Sequence, residues 1–199
     1  MSEKIRLFVA VAPPEGVVER LSETARGLRA EIPPPAVAWV LAEQIHLTLH
    51  FLGEVERERV GEFELALEKV CGASEGCLLR AGGLGCFPSA NRPRVVWAGL
   101  QGAVAALESL KNRMEPELER LGYVPEKRAF HPHLTLGRVK ELNARDRRNL
   151  ARALEENRER DFGEWRVKRV DLMESVLGRT GARYRLVRSF EMMDCGGWV

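Results

Sequence analysis

The sequence predicts a fold of strands and helices arranged as two intimately packed halves, and three observations predict it. Apolar residues alternate along short runs, then recur at helical spacing, and this change of period repeats down the chain. The second half follows a plan related to the first. The tetrapeptide His-Leu-Thr-Leu also occurs twice, from His46 and from His133, 87 residues apart (133 minus 46) in a chain of 199. That is close to half the chain, the spacing a crude internal duplication would leave.

Taken in order, Ile5 to Val11 reads as a strand and Glu15 to Ala30 as an amphipathic helix stopped by Pro33-Pro34-Pro35. Ala36 to Val40 and Ile45 to Leu52 are strand-like, with Gly53 as the turn. Glu56 to Val70 places Val60, Phe63, Leu67 and Val70 on one helical face. Cys77 to Leu84 and Arg94 to Leu100 read as a hairpin around the turn-rich "GCFPSANRP". The glycines of "AGGLG" at Ala81 to Gly85 read as a turn, because no lysine follows as in a phosphate-binding loop. Ala103 to Leu121 is a helix bent at Pro116, His133 to Val139 a strand, and Asn143 to Arg158 a charged helix with Asn143 as its N-cap. Trp165 to Ser175 and Tyr184 to Met193 form the arms of a closing hairpin around "LGRTGA". Trp39, Trp97 and Trp165 read as core. No linker or composition shift divides the chain, so residues 1–199 are expected to form a single domain.

Composition narrows the class. Apolar residues are 45% and charged residues 30%, a balance that supports a packed core and not a disordered chain. No segment approaches the length of a membrane span, and the run from Ile5 to Ala12 is too short for a signal peptide. Cys71, Cys77, Cys86 and Cys195 form no C-x-x-C pair, so free thiols and a cytoplasmic location are expected. A net charge of +2, from 31 basic and 29 acidic residues, does not announce a nucleic-acid binder, but leaves room for a local basic patch. The run "ARDRRNLARALEENRER" reads as a solvated helix face with acidic partners.

The chemistry lies with the histidines. All four in the sequence, His46, His50, His131 and His133, sit in or beside the two motif copies. On a regular strand alternate side chains share a face, so His46, Thr48 and His50 face a cleft while Leu47, Leu49 and Phe51 face the core. In the second copy His131, His133 and Thr135 lie opposite Leu134 and Leu136. Two such strands side by side bring two imidazoles and two hydroxyls to one pocket.

In-line phosphoryl displacement needs a base where the nucleophile enters and an acid where the leaving oxygen departs. An imidazole with a pKa of about 6.5 can fill either role at neutral pH. Threonine hydroxyls two residues on can hold phosphate oxygens, and Arg138, Lys127 and Arg128 can supply positive charge. Phe51 or Phe130 could stack a base. No metal is expected, because neither copy has an acidic ligand at the motif spacing and no H-E-x-x-H occurs. A metallohydrolase built on His131-x-His133 and a non-catalytic RNA-end or nucleotide-binding protein are the competing readings.

The segments "HLTLHFLGEV", "FHPHLTLGR", "RLFVAV", "FPSANRPRVVWAGL" and "LMESVLGRTGARYRLV" resemble the 2H phosphoesterases, and within them the RNA 2′,3′-cyclic phosphodiesterases, or 2′-5′ RNA ligase-like proteins. The resemblance covers nearly the whole chain. It implies an α+β fold of two pseudo-symmetric lobes, each an antiparallel sheet with outer helices, around a central cleft carrying the two His-x-Thr motifs. It implies cofactor-free hydrolysis of ribose 2′,3′-cyclic phosphate ends to 2′-phosphomonoesters, with a reversible 2′-5′ ligation; a small enzyme with an open cleft has no need of a partner chain, so a monomer is expected. By the same resemblance His46 is the proton donor to the 3′ oxygen and His133 the proton acceptor that activates water. Thr48 and Thr135 hold the phosphate and Arg138 adds charge. His50 stands where relatives often carry a longer cation. Arg138 and Phe51 each lie five residues past a motif histidine, so they reach the cleft only if the strands bulge.

Overall fold

Strand β1 (Lys4–Val11) buries Leu7, Val9 and Val11 on one face and leads through Pro13-Pro14 into helix α1 (Glu15–Glu31). The structure is a computed structural model and describes residues 2–178 and 181–194. Arg179 and Thr180, inside the predicted closing turn, and Cys195 lie outside those residues. The chain continues with β2 (Val37–Trp39), β3 (Leu47–Glu56), α2 (Val60–Gly72), β4 (Cys77–Phe87) and β5 (Val95–Gly102). Then come α3 (Val104–Glu119), β6 (His133–Val139), α4 (Ala144–Glu156), β7 (Asp161–Val167), β8 (Arg169–Gly178) and β9 (Gly181–Glu191). Asn143 caps α4 as predicted, its side-chain oxygen accepting the Asp146 N–H at 2.9 Å.

Among the described residues the protein is α+β, an antiparallel sheet with four helices. The sheet order is β7-β4-β5-β6-β3-β1-β8-β9, with β2 added on β6. This order is symmetric about the β6–β3 junction: four strands lie on each side, and each junction strand carries one histidine motif. Two separate sheets are thus joined into one of nine strands by a single residue pair, Leu47 with Leu134. Both leucines are almost fully buried, at 1% and 0% exposure. Burial of such a side chain contributes about 1.5–3 kcal/mol. Side chains of all four helices join the core on that leucine face, which leaves the opposite face of the sheet to the histidines.

Several predicted boundaries move. Trp165 to Ser175 is not one hairpin arm: it spans β7 and β8, which pair with β4 and β1 in opposite halves of the sheet. The alternation runs through Lys168 without a turn residue, so periodicity alone could not divide it. Gly53 is no turn either. It lies inside β3 at φ 74°, opposite Leu7 and next to a register shift. "AGGLG" is also strand, part of β4 with a bulge at Gly83, whose φ of 69° suits glycine. Gly85 has a further reason to be glycine, because a Cβ there would stand 2.2 Å from the Trp97 ring. Trp97 therefore lies over β4 on the histidine face and not in the core, whereas Trp165 is buried at 8% exposure.

Candidate active site

The junction pair sets the site. With Leu47 opposite Leu134, one step along the antiparallel register sets His46 against Thr135 and Thr48 against His133. The four side chains share the helix-free face, all partly accessible.

The histidines are held alike. His46 Nδ1 lies 2.7 Å from the carbonyl of Gln44, and His133 Nδ1 lies 2.7 Å from that of His131. A carbonyl can only accept, so each Nδ1 carries the hydrogen and each Nε2 is left for chemistry. Neutral, Nε2 accepts a proton; protonated, it donates one. Burial pushes both imidazoles below the usual pKa of 6.5, and the Arg138 charge pushes them further. His133 adds to the effect on His46, and His131 to that on His133. Each ring also packs on aromatics: His46 lies 4.9 Å from Phe8 and edge-on to Tyr184 at 5.1 Å, and His133 is edge-on to Phe87 at 5.0 Å.

A bulge brings Arg138 to the same face. Along β6, Thr135 pairs with Trp97 but Gly137 pairs with Val96, so Leu136 is the extra residue. The shift reverses the parity beyond it, and Thr135 and Arg138 end on one face opposite Trp97 and Val95. Strand β3 repeats the device. Thr48 pairs with Ala10 and His50 with Val9, which makes Leu49 the extra residue. Phe51 then pairs with Phe8 on the histidine face, 55% exposed and 6.3 Å from the Phe8 ring.

The same bulge corrects the placement of His50. It turns with Val9 into the core, 1% exposed, and leaves the histidine face altogether. Its Nε2–H donates to the Lys111 carbonyl at 3.0 Å on α3, so its Nδ1 accepts from the Tyr123 hydroxyl at 3.0 Å. Burial pushes the His50 pKa down to about 4.

Phe130 is also corrected: it packs against the core beneath Lys111, whose Nζ lies 5.6 Å from its ring. Lys127 and Arg128 stand exposed on the segment between α3 and β6, and nothing ties them to the histidines. Gln44, Phe8, Phe87, Trp97 and Tyr184 escaped the sequence reading as site residues. Phe8 and Phe87 lie within "RLFVAV" and "FPSANRP", but only strand pairing across the chain shows which way they face.

Two cavities, of about 290 and 430 Å³, lie away from His46 and His133, one lined by Arg59, Phe63 and Tyr123 and the other by Arg57, Glu174 and Arg185. Neither holds the pair of imidazoles that gives the open face its acid-base capacity. Among the described residues no three His, Cys, Asp or Glu side chains converge as a metal-ligand set. No described helix is long and apolar enough to cross a membrane.

A family model described as LigT like Phosphoesterase matches residues 11–97 and 100–184, one His-x-Thr motif in each span. The RNA 2′,3′-cyclic phosphodiesterase of Archaeoglobus fulgidus is 33% identical over 187 residues, which cover 94% of this chain and 100% of that one. The protein of the same name from Aeropyrum pernix is 34% identical over 154 residues, 77% of this chain and 85% of that one. Among solved structures, TT0787 of Thermus thermophilus superposes with a TM-score of 0.78 at 28% identity, covering 94% of this chain and 98% of that one. Escherichia coli LigT complexed with 3′-AMP superposes at 0.74 with 26% identity, covering 96% and 99%.

Proposed function

Because the chain belongs to the LigT like phosphoesterase family, whose relatives named above are hydrolases, we propose that it is an RNA 2′,3′-cyclic phosphodiesterase. The observation that carries this reading is the matched pair of imidazoles, each with Nδ1 tied to a carbonyl two residues earlier and Nε2 left for proton transfer. A binding protein has no need of two titratable rings.

In the proposed reaction a water oxygen attacks phosphorus as His133 Nε2 takes its proton, and the bond from phosphorus to the 3′ oxygen breaks. His46 Nε2 gives its proton to that oxygen, leaving a 2′-phosphomonoester and a free 3′ hydroxyl. Thr48 and Thr135 hold the non-bridging oxygens, and Arg138 balances their charge. The site is symmetric about the junction, so the donor and acceptor roles rest on the family resemblance. Replacing water by the 5′ hydroxyl of a second RNA would give the 2′-5′ ligation, and the mechanism uses no cofactor.

The test is incubation of 2′,3′-cyclic AMP, or a short RNA with a cyclic phosphate end, in excess EDTA. A 2′-phosphate product is expected, with a loss of about 10²–10⁴-fold in kcat for His46→Ala and for His133→Ala. A 3′-phosphate product would reverse the leaving oxygen. Undiminished turnover in both variants would overturn the mechanism.

A further inference from the structure

The two halves of the sheet match in topology but not in charge. Past the bulge on β6 come Arg138 and Lys140; at the same offsets past His46 on β3 stand Phe51 and Gly53, followed by Glu54 and Glu56. On that first side Arg6 pairs with Glu54, Arg57 with Glu3 and Arg59 with Glu62.

On the second side the cations accumulate. The Val139 N–H donates to the Arg94 carbonyl at 2.9 Å, which places the 92–94 segment beside the end of β6. The Arg147 guanidinium donates to the Asn91 carbonyl at 2.6 Å, which ties the start of α4 to the same loop. Arg92, Arg94, Arg138, Lys140 and Arg147 are all exposed. Among the described residues none of the five has an acidic partner, although Arg152 and Arg158 further along the chain do.

The chemistry of the substrate class matches this one-sidedness. A 2′,3′-cyclic phosphate occupies both ribose oxygens, so no nucleotide follows it and the rest of an RNA chain lies only on its 5′ side. An enzyme for such an end needs a polyanion track leaving the site in one direction. We propose that the polyribonucleotide behind the cyclic phosphate leaves past Arg138 and runs over Lys140, Arg92 and Arg147. This rests on the phosphodiesterase reading and adds to it the direction in which the RNA chain leaves the site.

The test compares 2′,3′-cyclic AMP with a single-stranded RNA decamer ending in a cyclic phosphate, across a salt series. For Arg92→Glu/Lys140→Glu the decamer KM rises about tenfold at low salt, and its log-log salt dependence flattens by about 1.4, two phosphate contacts at about 0.7 each for a single strand. The kinetics on 2′,3′-cyclic AMP stay unchanged. Equal changes on both substrates, or a decamer KM and salt slope like wild type, overturn the track. If the reversed variant does not fold, Arg92→Gln/Lys140→Gln decides by the same comparison. Failure of wild type to hydrolyse either substrate would instead count against the phosphodiesterase itself.

Discussion

The sharpest separation of motif from bystander concerns His50, which lies four residues from His46 and on the other side of the sheet. Its imidazole is held neutral in the core, donating to the Lys111 carbonyl and accepting from Tyr123. Burial lowers its pKa to about 4, against about 6.5 in the unfolded chain. A lowered folded-state pKa means that the unfolded chain binds the extra proton first as the medium is acidified. Its contribution to stability is then fully present above pH 6.5 and is lost as the pH falls toward 4. The difference of about 2.5 units corresponds to roughly 3 kcal/mol across that window.

The perturbation is His50→Gln, and the assay is urea unfolding at pH 7 and at pH 4.5 beside wild type. Other groups titrate in the same interval in both proteins, so the double difference isolates His50. The variant is less stable at pH 7 by about 1–3 kcal/mol, because Tyr123 loses its partner in a buried site. It is also less sensitive to acid than wild type by about 2–3 kcal/mol. Its kcat on 2′,3′-cyclic AMP stays within about twofold when corrected for the folded fraction, since the ring faces away from the reaction. A folded His50→Gln protein whose kcat falls by about 100-fold would refute this placement, and so would an acid sensitivity equal to wild type.

Two further outcomes follow from the site. Arg138 depresses both motif histidines, so Arg138→Gln lets each keep its proton to higher pH; the pH optimum of kcat/KM moves upward while the rate falls about 10²-fold. An unmoved optimum would mean that Arg138 only binds. Gly85→Ala drives a methyl into the Trp97 ring and is expected to cost about 1–3 kcal/mol. Denaturant midpoint and tryptophan emission both change; if neither does, Trp97 does not depend on that contact.

Local signals carried much of this molecule in the sequence. The alternation of Leu47 and Leu134 with the motif histidines and threonines shows the two faces at the junction, and the Asn143 cap and the proline stop after α1 are readable residue by residue. What escaped depends on partners far along the chain. Whether Leu49 and Leu136 are extra residues is decided by their pairing with β1 and β5, and that count turns His50 inward and Phe51 and Arg138 outward. The glycines of β4 read as a turn because their reasons, a bulge and a tryptophan above them, lie across the strand. The division at Lys168 was hidden because β7 and β8 share one alternation yet join opposite halves.

That last division bears on how the site comes into being as the chain is made. Residues 4–168 already contain both motif histidines and both threonines, but β1 still lacks the neighbour on its outer side. The hairpin of β8 and β9 supplies it, pairing residues separated by most of the sequence, and brings Tyr184 against the His46 ring. Contacts of such long sequence separation form late and slowly. The half of the site translated first is therefore completed last, and a nascent chain can carry every reacting group before Tyr184 packs against His46.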